Sequence, residues 1–287
     1  MKKLTSLIFL ISSISQGQKI SSHLNFQQGQ DYQVEMTVKS TISQQAMGQS
    51  IDFDINANAN HDFKVTNSTE DNTTLNHSIR HIGFSFDGMG QKRSFDSDQE
   101  KDKNSQTGKT MMELLSKKYD IVIDTSGKTM MAVPEKIQLS AGNSQMALIS
   151  SMMKDVFGLV QPPAKGTASF FKVLPDTGAV LKRPWTASYI NESGKFDEAY
   201  TISDITDSTV VIDFAVNSVT VTKAEMMGNE TTTTLNNKST GKIILDRATG
   251  IMKEKTMETN SSGNTETSFG TLPVTSKTTT VIKIKNL

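Results

Sequence analysis

The sequence predicts a mainly β protein with minor α. The expected fold is a curved antiparallel sheet, an open or half-closed barrel, with one long and one short helix on its concave face. Three observations predict it. Apolar and polar residues alternate at period two in segment after segment, as in a sheet with one wet face. Glycine, asparagine and aspartate punctuate those segments, as tight turns require. One stretch, Gly142 to Pro163, instead carries Met146, Ile149, Met153, Val156, Phe157 and Val160 at helical spacing.

Lys2 and Lys3 followed by the apolar run Leu4 to Ile14 read as an export signal, too short to span a bilayer. Ser15-Gln16-Gly17 places cleavage before Gln18, so residues 1–17 are expected to be removed. The strands start at Asp31. Val34, Met36, Val38 and Ile42 share one side, Met47-Gly48-Gln49 makes a turn, and Ile51, Phe53 and Ile55 alternate on the way back. Phe63, Val65, Leu75, Ile79, Ile82, Phe84 and Phe86 continue the meander. Asp96 to Thr107 is polar without a period and reads as a mobile loop, and Thr110 to Lys117 as a short helix presenting Met111, Leu114 and Leu115. Tyr119 to Ile123 and Thr129 to Val133 flank a turn at Asp124-Thr125-Ser126-Gly127.

Asn143 or Ser144 can cap the long helix, and Pro162 and Pro163 end it. Beyond it, Trp185 opens a second strand-rich half: Tyr200 to Ile205, Val210 to Val216, Val219 to Lys223, Thr231 to Leu235, Gly241 to Leu245, Ile251 to Met257 and Lys277 to Ile284. Residues 18–287 are thus expected to form a single β-rich domain. Its halves, about 31–133 and 185–287, are joined by a helix-containing connection, 134–184. Met47-Gly48-Gln49 is echoed by Met227-Gly228-Asn229, and the turn at Asp124 by Asp246 to Gly250; duplication and turn chemistry both account for the echo.

Composition excludes several classes. Thirty basic and thirty acidic residues cancel, which leaves no global field for nucleic acid. Aromatics at 6% argue against base-stacking platforms. The absence of cysteine removes disulfides, thiolate metal sites, a cysteine nucleophile and a lipidated anchor. Threonine, serine and asparagine are abundant, as expected of exposed strand faces and turns.

Met47-Gly48-Gln49, Phe95-Asp96-Ser97-Asp98, the strands around Asp124 to Gly127, Leu174-Pro175-Asp176 ahead of Trp185, and Gly241 to Asp246 with Thr249-Gly250 together resemble a family of exported bacterial β-rich proteins of unknown function. The chain departs from that pattern at Lys182-Arg183-Pro184, where the family usually has a Gly-Asp pair. The family in turn resembles half-barrels that carry lipids or lipoproteins between bacterial membranes. The resemblance implies a curved sheet closed on its concave side by helices.

Gly108-Lys109-Thr110 and Gly127-Lys128-Thr129 lack the earlier glycine of a phosphate loop. His77 and His81, four residues apart on a strand, span about 13 Å, too far for one metal ion. With His23 near the start and His61 in an asparagine-rich turn, all four histidines read as surface groups. Asp52/Asp54, Asp96/Asp98 and Asp204/Asp207 sit where exposed carboxylates normally do, and no serine-hydrolase elbow is present. No catalytic residue, metal ligand or cofactor is therefore expected. The expectation is an exported, non-enzymatic carrier, periplasmic or extracellular, holding an acyl chain or lipoprotein between helix and sheet. Met146, Ile149, Met153, Val156, Phe157, Val160 and Trp185 would line that space. The alternative is an envelope module with a filled core that meets protein partners and holds no ligand.

Overall fold

The computed structural model describes residues 17–46, 48–88, 90–137, 158–191, 193–226, 229–268 and 270–287. The expected export segment falls almost wholly on residues 1–16, outside the described residues. So does most of the expected long helix, on residues 138–157; its tail at 158–163 is turn and coil.

Among the described residues, fourteen strands and two helices follow in order: β1 (Lys19–Ile20), β2 (Asp31–Ala46), β3 (Gln49–Ser68), β4 (Asn72–Gly88), β5 (Gln91–Asp96), α1 (Glu100–Lys103), α2 (Gln106–Leu115), β6 (Lys118–Asp124), β7 (Thr129–Val133), β8 (Ala179–Val180), β9 (Trp185–Asn191), β10 (Gly194–Ile205), β11 (Thr209–Met226), β12 (Asn229–Asp246), β13 (Met252–Thr267) and β14 (Gly270–Asn286). Twelve strands form one antiparallel sheet in the order β7-β6-β4-β3-β2-β14-β13-β12-β11-β10-β9, with β5 beside β4. β1 and β8 form a separate pair. The sheet is not closed into a barrel, since β7 and β9 stand at its two ends. The two halves meet where β2 pairs with β14, Met36 opposite Ile282.

Two backbone hydrogen bonds fix its curvature. Leu24 donates to the Thr125 carbonyl at 2.7 Å, in the β6–β7 turn. Its neighbour Asn25 donates to the Thr249 carbonyl at 2.8 Å, in the β12–β13 turn. Five strand spacings separate β6 from β13, about 24 Å across a flat sheet. Two consecutive residues reach both turns only if the sheet curls and its remote hairpins converge. Each turn is built on an aspartate: Asp124 Oδ1 accepts from Ser126 and Lys128 N–H groups, and Asp246 Oδ1 from those of Ala248 and Thr249. Gly127 closes the first at φ +83, and a Cβ there would stand 2.8 Å from the Leu24 side chain.

The amino-terminal segment and residues 159–181 plug this end. Leu24, Phe26, Phe171 and Leu174 join Tyr32, Val34, Phe63, Leu75, Ile121, Ile212 and Leu245 in the larger core cluster. A second cluster lies under α2, where Met111 and Leu114 cover Val38, Ala57, Ala59, Ile82 and Phe84. Ser105 caps α2, its hydroxyl accepting from the Gly108 N–H at 2.9 Å. The short helix expected over Thr110 to Lys117 is therefore present on the inward face, starting earlier at Gln106 and ending at Leu115. The stretch expected as a mobile loop is structured instead. Asp96, Asp98 and Asp102 knit it with side-chain-to-backbone bonds, and it holds α1 and the start of α2. Its polarity reflects exposure on a corner.

The later strands are much longer than the alternation suggests, because serine and threonine continue the ladders where aliphatic residues stop. On the inward face of these strands, Ser40 bonds Thr278 at 2.8 Å, Ser239 bonds Thr259 at 2.8 Å, and Thr233 bonds Thr265 at 2.9 Å. The hydroxyl-rich composition expected on wet faces thus also furnishes part of the interior. On β2 and β3 the outward face is polar: Glu35, Thr37 and Lys39 stand beside Asp54, Asn56 and Asn58. No helix among the described residues is long and apolar enough to cross a membrane.

Candidate functional site

The inward face changes character along its strands, and cross-strand register shows where. One row reads Tyr200, Phe214, Gly241, Met257, Thr280 and Val38 from β10 to β2, and is mainly apolar. The next row away from the plug reads Glu198, Val216, Ser239, Thr259, Thr278 and Ser40. Beyond it lie Ser218, Asn237 and Ser261. On β11 to β13 the wall thus passes from apolar to hydroxyl-bearing beside Glu198, while on β10 Glu198 itself lies between Tyr200 and Phe196.

Around Glu198 the sheet carries an aromatic frame. Trp185 stacks on Tyr200 with centroids 5.3 Å apart, and Tyr200 leans on Phe214 at 5.9 Å. Two residues along, Tyr189 stacks on Phe196 at 5.0 Å. Both tyrosines bond the carboxylate between them: the Tyr189 hydroxyl donates to Oε1 at 3.0 Å and the Tyr200 hydroxyl to Oε2 at 2.9 Å. Burial, followed by the Glu198 charge, pushes Tyr189 up to about 12 and raises Tyr200 further, so both phenols keep the proton they donate. Phe214 lies over Gly241, where a Cβ would meet its ring at 2.8 Å, and Lys255 Nζ stands 5.0 Å from the Phe214 centroid. Trp185, Phe196, Tyr200, Val216 and Met257 are only half-buried, whereas the wall under α2 is sealed.

Of the residues expected to line a ligand space, Met146, Ile149, Met153, Val156 and Phe157 lie outside the described residues. Val160 is buried in the cluster under α2, and Trp185 packs against the larger core. These two pack in different clusters. Tyr189, Phe196, Glu198, Tyr200 and Lys255 were not anticipated. The signal was a glutamate at an apolar-parity position of the run Phe196, Glu198, Tyr200, Ile202.

The histidines also depart from expectation. His61 lies within β3, and both it and His77 are completely buried, with Nδ1 of one 3.0 Å from Nε2 of the other. A bulge at Arg80 turns His81 to the opposite face, so His77 and His81 do not form a pair. His81 Nδ1 instead stands 3.1 Å from Asp98 Oδ2 and 3.8 Å from Asp96 Oδ1, a donor set able to hold a cation. The Asn58 amide oxygen and the Ser97 hydroxyl also satisfy this ring, at 2.8 Å and 3.2 Å. Among the described residues, two open hollows have mixed linings: one of about 630 Å³ beside Lys39, Asp54, Ile55 and Phe86, and one of about 520 Å³ beside His23, Leu24, Phe26 and Glu70.

Residues 70–252 match the sequence pattern of a family of unknown function, DUF6263. No curated protein matches the chain. Among solved structures, one described as lipid–protein interactions in lipovitellin aligns at TM-score 0.48 and 9% identity, covering 91% of this chain and 26% of that one. The chain thus spans about a quarter of the lipovitellin chain's length. The COG4313 outer membrane channel of Pseudomonas putida F1 aligns at TM-score 0.22 and 8% identity, covering 92% of this chain and 98% of that one. The translocator domain of the autotransporter NalP from Neisseria meningitidis aligns at TM-score 0.20 and 5% identity, covering 91% and 90%. Likenesses this shallow carry no weight on function.

Proposed function

The chain belongs to DUF6263, a family of unknown function, and for this member we propose an exported, non-enzymatic carrier that holds an apolar chain against the inward face of its sheet. One observation carries the reading. The wall of Trp185, Tyr200, Phe214, Val216 and Met257 is apolar and half-open, on the same face that α2 and the plug seal elsewhere. Each methylene moved from water onto such a wall contributes about 0.8 kcal/mol. The amino-terminal Lys2–Gly17 segment supports export to the periplasm or beyond. Native mass spectrometry of gently purified protein tests the carrier: co-purified lipid is expected, and consistently empty protein would sink it.

A second reading, an envelope module that meets protein partners, is favoured by the sheet's ends. β7 exposes Met130, Met131 and Val133, and Ile190 on β9 is 79% exposed. Pull-down of an envelope protein by lipid-free chain, lost when Ile190 becomes Lys, is the result this reading predicts.

A further inference from the structure

Resting on the carrier reading, we propose that the ligand's polar head is an ammonium group, bound at Glu198 inside the frame of Trp185, Tyr189, Phe196 and Tyr200, with its apolar tail running toward the plug. Three observations place it there. Glu198 faces inward with two phenolic donors, and no ion pair engages it among the described residues. A half-buried carboxylate beside aromatic rings attracts a cation more strongly than one in open water, because part of its solvent screening is removed. Beside that frame, the Lys255 ammonium sits over the Phe214 ring at 5.0 Å, so an aromatic face of this wall already holds an ammonium.

The third observation is the register. Glu198 lies beside the row where β11 to β13 pass from Phe214 and Met257 on one side to Ser218, Asn237 and Ser261 on the other, with Tyr200 and Phe196 flanking it on its own strand. An amphiphile laid along the strands meets that boundary once, with its tail on the apolar side and its head at the carboxylate. Anionic heads would face Glu198 with the wrong sign, so a fatty acid of equal length is the natural control.

The test uses the full chain, with fluorescence of Trp185, the only tryptophan, as the readout. The ligands are dodecyltrimethylammonium and laurate, both below their micellar concentrations, and tetramethylammonium as the head alone. The expected result is saturable binding of the ammonium amphiphile, roughly tenfold tighter than laurate. Glu198→Gln, whose amide oxygen accepts from one phenol while its NH2 donates to the other, removes the charge and should erase that preference while leaving laurate binding intact. Should that variant fail to fold by circular dichroism, Tyr189→Leu at the exposed side of the frame must lower the preference in its place. Equal binding of the two amphiphiles, or a preference that survives both substitutions, overturns the ammonium site and spares the carrier. Binding of neither overturns both. Tetramethylammonium binding as tightly as the amphiphile supports the ammonium site and overturns the carrier.

Discussion

His61 and His77 meet beneath the plug with Tyr119 stacked on the second ring at 4.3 Å and Phe63 against it at 4.8 Å. Burial, and then the neighbouring His61, lowers His77 from 6.5 to about 3. The sign of the linkage follows from that order. The unfolded chain takes up a proton below 6.5 and the folded chain does not until about 3, so stability holds above 6.5 and declines through the interval beneath it. Between roughly pH 6.5 and 5, above the carboxylate range, the loss amounts to about 2 kcal/mol. Urea midpoints across that interval measure it. His77→Phe, a similar ring among aromatics, should flatten the slope, and an unchanged slope would assign it elsewhere. The two rings lie on separate strands, so their meeting is invisible in sequence; alternating parity in β3 put His61 inward all the same.

At the scale of elements, the segment around Leu24 latches two hairpins that belong to opposite halves of the chain. The Asp124 and Asp246 turns echo one another in sequence, and each offers one carbonyl to this segment. Burial opposes ionisation of both aspartates, and the N–H and hydroxyl donors around them outweigh it, so both titrate below the usual carboxylate range. Leu24→Ala removes a side chain only 7% exposed and should cost about 3 kcal/mol by urea denaturation. Protease cleavage near the β6–β7 turn should rise with it, because the curl loses its tie. A change below about 1 kcal/mol would mean that the other plug residues hold the end closed without it. The turns and α2 were legible because their chemistry is local: capping serine, aspartate and glycine act within a few residues. The full lengths of β11 to β14 were not, since their hydroxyl-rich ends become strands only when a partner supplies the ladder.

For the whole molecule, the question is whether the half-open wall has room. Val216→Trp adds bulk beside Glu198 and Ser239 on that wall. If a ligand occupies the space, stability should change by less than about 1 kcal/mol while co-purified lipid disappears. If neighbouring side chains fill it, overpacking should cost about 1–3 kcal/mol. Thermal denaturation and native mass spectrometry on the same sample separate the two.

By itself the sequence determined the class of fold, the inward parity of β2 to β4, the hairpin turns and the short helix. Each of these follows from periodicity or from a few adjacent residues, which a linear text preserves. Only the tertiary structure decided that remote hairpins converge on Leu24 and Asn25 and that two histidines are buried together. It alone placed Glu198 among the rings of Trp185, Tyr189, Phe196 and Tyr200. Those outcomes depend on which strands become neighbours and in what register, and a shift of one residue would reverse every face.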